Sequence, residues 1–185
     1  MQILHELVEK SVRLKYIHYN MRRSKGIRRD LVKTEDGLTY KRGDVKYLKL
    51  IENMHLALFR KPLLPWLSWL YRFRAKELIS VVVDSNDNLI GYDLFFFEPS
   101  EANLKVIHEL YVGVAHQFQD RGIGVKLRQY SASCYDDGYL DGISTLAAYD
   151  NIKALRTAQK AGFAITKESA KPPAYYLYRH LTRRY

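Results

Sequence analysis

Residues 119–124, Gln-Asp-Arg-Gly-Ile-Gly, constrain the chain more than any other stretch. The segment before them, Leu104 to Val114, is rich in branched and aromatic residues and predicts a strand. After them, Ile123, Leu127, Tyr130 and Cys134 recur at spacings of four, three and four, the apolar face of a helix. A turn bearing two glycines therefore joins a strand to a helix start. Without side chains at Gly122 and Gly124, an anion can approach the backbone there. Unused N–H groups and the positive end of the helix dipole would attract it. Arg121, Lys126 and Arg128 add formal positive charge at the same end. The expectation is a phosphate cradle, with an ordinary tight strand-to-helix turn as the alternative.

Two common cradles are excluded. The dinucleotide pattern needs a third glycine where Leu127 stands, and the four-residue gap and Gly-Lys-Ser/Thr ending of a nucleotide-triphosphate loop are absent. With 185 residues, 47% of them hydrophobic, the chain can bury a core without covalent staples. One cysteine excludes an internal disulfide framework, and the six histidines show no ligand spacing, so no metal is expected. The start shows no charged region ahead of an apolar core, and no apolar run is long enough to span a bilayer, so the expected location is cytoplasmic. The formal charge of +10 fits nucleic acid, an anionic membrane or a polyanionic small molecule or carrier, and does not choose among them.

Taken in order, Met1 to Leu14 has a helical apolar pattern (Ile3, Leu4, Leu7, Val8, Val12, Leu14), and Tyr16 to Met21 reads as a short strand. The basic cluster Arg22, Arg23, Lys25, Arg28 and Arg29 reads as a solvated loop rather than an anion patch. Asp36-Gly37 marks a turn and Leu38 to Tyr40 a short strand. A helix from Val45 to Phe59 is predicted with Asp44 as N-cap. Pro62 and Pro65 separate it from an apolar helical stretch, Leu63 to Phe73. Its Trp66 and Trp69 are expected in the core or in a substrate wall rather than in a membrane anchor or lid. Leu78–Val83 and Leu89–Phe97 form a hairpin across Asp84 to Asn88. Beyond the cradle helix come a strand, Gly142–Ala148, and a helix from Asn151 to Ala161, with Asp150 as N-cap and Gly162 closing it. Strands at Phe163–Ile165 and Ala174–Tyr178 end the series.

Gln119 to Gly124 resembles Gln/Arg-x-x-Gly-x-Gly/Ala, the acyl-CoA pyrophosphate motif of the GNAT superfamily of N-acetyltransferases. A second stretch, Asn151-Ile-Lys-Ala154 through Gly162-Phe163, resembles the same family's Asn-x-x-Ala…Gly-Phe signature at the expected distance downstream. The resemblance covers roughly Asp44 to Tyr178. It implies an α/β fold, a mixed and mainly antiparallel sheet with splayed central strands and flanking helices. Residues 37–185 would form that domain, and residues 1–36 (helix and basic loop) an N-terminal extension.

The resemblance further implies acetyl-CoA, or a longer acyl-CoA, as co-substrate. Its pyrophosphate would lie on Gln119, Asp120, Arg121, Gly122, Ile123 and Gly124, and its pantetheine arm along Val112, Val114, Asn151 and Ala154. An amine would attack the thioester directly. Glu109 is the candidate base, with His108 on the opposite face of the same strand by alternation. A structural hydrogen bond or ion pair is the alternative role for Glu109. Many relatives place a proton-donating tyrosine where this chain has Ala158, and Tyr149 is the candidate substitute.

Three readings follow. The first is an N-acyltransferase acting on a primary amine of a small molecule, with acyl-CoA or an acyl carrier protein as donor. The second is a non-catalytic CoA- or nucleotide-binding sensor of the same fold, which Ala158 would suit. The third, nucleic-acid binding, is disfavoured because no reading motif is present. Peripheral membrane contact and a homodimer are compatible with the sequence.

Overall fold

The computed structural model describes residues 2–171 and 173–182, with side chains from residue 13 onward. Eight strands form one sheet: β1 (Val32–Glu35), β2 (Leu38–Arg42), β3 (Ile79–Val83), β4 (Leu89–Phe96), β5 (Val106–Val114), β6 (Gly142–Ala148), β7 (Ala164–Ala170) and β8 (Pro173–His180). Their order is β1-β2-β3-β4-β5-β6-β8-β7. Every neighbouring pair is antiparallel except β5 and β6. Five helices complete the fold: α1 (Gln2–Arg23), α2 (Leu48–Phe59), α3 (Pro65–Leu78), α4 (Ile123–Tyr135) and α5 (Ile152–Lys160). None of the described helices is long and apolar enough to cross a membrane. The expected fold class is the observed one.

Two irregularities in β5 shape the centre of the sheet. The parallel pairing of β5 with β6 runs from Val106/Gly142 only as far as Glu109/Thr145, although both strands continue. In the same place β5 carries an extra residue against β4: Leu94 pairs with Tyr111 and Phe95 with Glu109. That bulge bends the strand, and β5 and β6 part just beyond it. The two faces of β4 show which helices cover the sheet. Tyr92 meets His55 of α2, while its neighbour Asp93 meets Ser131 of α4, so α2 and α4 lie on opposite faces.

The α4 stripe predicted from spacing is real, since Ile123, Leu127, Tyr130 and Cys134 are all buried, packed with Tyr40, Val82 and Ile90. The hairpin of β3 and β4 forms as expected, with Asp84 Oδ1 accepting the N–H groups of Asn86 and Asn88 in its turn. Asp44 caps a single 3-10 turn, accepting from the Lys46 N–H at 3.0 Å, and α2 follows. The two tryptophans divide. Trp66 is half-buried, edge-on to Tyr16 and Phe96, as expected of a core position. Trp69 is 45% exposed beside Phe73 on the outer side of α3.

The beginning of the chain differs from expectation. Tyr16 to Met21 is not a strand but part of α1; the burial of the apolar stripe from Ile3 to Val12 lies outside the described residues. Helical spacing lets Asn20 bracket a strand end, its Nδ2 donating to Phe97 O at 3.0 Å and its Oδ1 accepting from Phe97 N at 2.6 Å. The basic cluster is not a solvated loop either. Arg28 is buried, donating to Ile79 O at 2.6 Å and to Ser80 Oγ. Arg23 reaches Ala102 O and Leu104 O, and Arg29 reaches Ser133 O and Asp136 O. Residues 27–36 thus run along α4 as a strap. Arg29 N–H holds Cys134 O, Tyr130 Oη donates to Leu31 O, and Lys126 Nζ lies 2.8 Å from Glu35 and 2.6 Å from Asp36. β1, absent from the sequence-based series, pairs with β2 through the Asp36-Gly37 turn, which is where the division at residue 36 falls.

Candidate active site

The parting of β5 and β6 opens a cleft of about 680 Å³ between the outer arm of β5 and the starts of α4 and α5, with Leu58 and Phe59 of α2 at its other mouth. Nine of the ten residues expected to hold the co-substrate line it: Val112, Val114, Gln119, Asp120, Gly122, Ile123, Gly124, Asn151 and Ala154. The exception is Arg121, which is exposed and stacks its guanidinium 5.4 Å above the Phe118 ring.

The turn has the geometry an anion needs. Gly122 occupies the left-handed region at φ 75°, and a Cβ there would meet nothing within 4 Å, so the space before α4 is open. Asp120 is left-handed too, at φ 61°. Such a backbone is strained for a side-chain-bearing residue and gathers N–H groups into a concavity. No side chain caps α4. Its first backbone bond runs from Lys126 N to Gly122 O, so the N–H groups of Ile123, Gly124 and Val125 lie ahead of the ladder. Gln119 fixes the turn by donating Nε2 to Val114 O at 3.0 Å while its Oε1 accepts from Lys153 Nζ; Lys153 also pairs with Asp120.

The charge expected at the start of α4 is largely spent inside the protein. Lys126 is clasped by Glu35 and Asp36, and its hydrogen bond holds the Glu35 carboxyl down at about 2. Arg128 is 7% exposed, lines the inner part of the cleft, and places Nη2 2.8 Å from Glu109 Oε2, an ion-pair contact without hydrogen-bond alignment. Phosphate attraction therefore rests on the open backbone and on Arg156 and Lys160, which line the cleft from α5.

Glu109 and His108 occupy opposite faces of β5, as alternation predicts, and neither lines the cleft. Glu109 is 2% exposed on the α4 side. Burial raises its pKa, opposed by Arg128 beside it. Asp93, fully buried nearby, accepts from Ser131 Oγ at 2.8 Å; burial and the Glu109 charge push its pKa well up. His108, 7% exposed, belongs to a buried network that sequence spacing could not reveal. Its Nδ1 lies 2.8 Å from Ser144 Oγ, which donates to Glu101 Oε2, and Tyr176 Oη donates to the other Glu101 oxygen. Burial lowers the His108 pKa and keeps the imidazole neutral, with Glu101 opposing.

Two further expectations meet different surroundings. Tyr149 does not line the cleft; its hydroxyl donates to Ser169 O at 3.0 Å and its ring packs edge-on to Tyr175. Asp150 is not the cap of α5. Asn151 is, accepting the Ala154 N–H at 3.0 Å. Ala158 is 0% exposed, so the position where relatives carry a tyrosine is here part of the core. Among the described residues no cluster of metal-ligating side chains is present.

Comparison with known proteins agrees with this architecture. Residues 48–163 match the family model described as Acetyltransferase (GNAT) family. Among curated proteins, none matches the sequence. A chain of the NatC complex bound to Gag peptide and CoA superposes with a TM-score of 0.65 at 21% identity, covering 78% of this chain and 99% of that one. Ard1 from Thermoplasma volcanium gives 0.63 at 18% identity, covering 80% and 99%. Spermidine N-acetyltransferase from Vibrio cholerae, in complex with CoA and spermine, gives 0.63 at 18%, covering 79% and 96%.

Proposed function

The chain belongs to the GNAT acetyltransferase family, and from that premise we propose that it is an acyl-CoA-dependent N-acyltransferase acting on a primary amine of a small molecule. The observation that carries this reading is the uncapped start of α4, with left-handed Gly122 opening onto the cleft. Bound acyl-CoA would supply the activated thioester. Gly122 to Gly124 would hold its pyrophosphate, and Val112, Val114, Asn151 and Ala154 its pantetheine arm.

The chain's own work is to seat the amine and accept its proton, because a protonated amine is not a nucleophile. Glu109 is committed to Arg128 on the α4 face. On the other face, His108 is neutral, and its hydrogen bonds lead through Ser144 and Glu101 to the half-buried Tyr176. In this reading His108 takes the proton. His55, Phe59 and Tyr111 make an aromatic wall with ring centroids 4.6 to 5.2 Å apart beside the Leu58–Phe59 mouth, suited to the apolar body of an amine. No side chain stands at position 158 to protonate the leaving thiolate, which water must then do.

Calorimetric titration with CoA and acetyl-CoA, followed by turnover with a panel of small amines, a polyamine and a peptide N-terminus, tests the proposal. Binding with turnover on a small amine is expected, and turnover on the peptide alone would reassign the acceptor. Binding without turnover on any amine would favour the second reading, a CoA-binding sensor, which the buried Ala158 supports. A folded protein that binds no CoA species would end both.

A further inference from the structure

The inner end of the cleft is charged where a channel for a fatty chain would be apolar. Arg128 is the last α4 residue that lines the cleft. Its guanidinium joins three elements there: Nη2 faces Glu109 of β5, Nη1 donates to Ala154 O of α5 at 3.3 Å, and Nε has no hydrogen-bond partner. Glu109 is also the last β5 residue paired with β6, so the ion pair sits where the strands begin to part. One turn further along α4, Ser131 closes onto buried Asp93, whose Oδ1 is likewise without a partner. On this face the cleft ends in charge and unsatisfied polar atoms.

The geometry points to Arg128 and Glu109 as the closed inner end of the donor cleft, a pair that limits the acyl group to a short one by denying a long chain any apolar wall. The inference rests on the acyl-CoA reading above and specifies its donor. An alkyl chain pressed against a buried ion pair strips the solvation left to the charges and gives no compensating hydrogen bond. A methyl or propyl group ends before that penalty arises. In an apolar channel, by contrast, each added methylene would tighten binding about fourfold. The pair thus acts on chain length alone, leaving the phosphate cradle unaffected.

The test is calorimetric titration of the full chain with CoA and with acetyl-, butyryl-, hexanoyl- and octanoyl-CoA. Affinity is expected to stay level to butyryl and to fall at least tenfold by octanoyl. In the double variant Arg128→Met/Glu109→Leu, whose apolar side chains replace the pair together, affinity should instead rise with chain length. Wild-type affinity that climbs through octanoyl overturns the inference, whether or not the variant folds. So does a folded variant that binds acetyl-CoA with an unchanged length profile. Wild-type protein that binds no CoA species refutes the acyltransferase reading itself, a result distinct from either of these.

Discussion

Helices α4 and α5 both begin at the rim of one cleft, yet they end their backbones in opposite ways. At α5 the Asn151 side chain accepts the Ala154 N–H, so one of the orphan donors is satisfied from within. At α4 the N-cap is Gly122, which has no side chain to offer. A helix that closes its own terminus needs no ligand, whereas one left open in a solvent-filled recess has donors to give. The difference separates a start that holds the fold from one that holds a ligand, and substitutions at each should read out differently.

The largest effect is expected at Gly122. A valine there must adopt φ 75° and would fill the empty space before the helix. CoA affinity should fall at least about 100-fold, while the unfolding midpoint, read by circular dichroism, moves little because strain of this kind costs about 1–2 kcal/mol. Equal loss of stability and binding would break the distinction between the two starts. Next comes Ala158→Tyr on α5. It restores the residue type that relatives use but places it in a filled core, and overpacking should destabilise by about 2–3 kcal/mol without raising turnover. A rise in kcat would show that the core can open there.

Asn151→Ala sharpens the comparison from the other side. Loss of the cap should cost about 1 kcal/mol in urea unfolding, and the accompanying loss of CoA affinity should be smaller than at Gly122. The smallest effect is expected for Lys126→Met. Although it sits in the first turn of α4, the lysine is held by Glu35 and Asp36, so CoA affinity should change by less than about threefold, near what an exposed, already paired charge is worth. A tenfold loss would mean that Lys126 leaves its partners for phosphate.

The sequence carried those parts of the fold that local chemistry decides. The α4 stripe, the Gly122 turn and the β3–β4 hairpin follow from spacing and turn residues, and they placed nine of the cleft-lining positions. What it concealed depends on distant partners. Tyr16 to Met21 has the branched and aromatic look of a strand, but Asn20 must meet both polar atoms of Phe97, 77 residues away, and does so from a helix. Arg28, set in a visibly basic run, is buried by contacts 51 residues distant. Arg128 read as a free charge because Glu109, which neutralises it, is near only once the sheet has formed. The His108 network is of the same kind, built across β5, β6 and β8 from residues with no periodic relation.

The strap of residues 27–36 along α4 has a consequence for the order in which the chain can be assembled on the ribosome. Its contacts with α4 span 90 to 107 residues, so the strap is synthesised long before its partner exists. At about 5–20 residues per second, that interval lasts roughly 5–20 s. During it, Arg28 and the β1–β2 hairpin can engage β3 but not α4. The nascent protein therefore builds one wing of its sheet first, and the helix that opens the cleft is fastened only when the second half of the chain emerges.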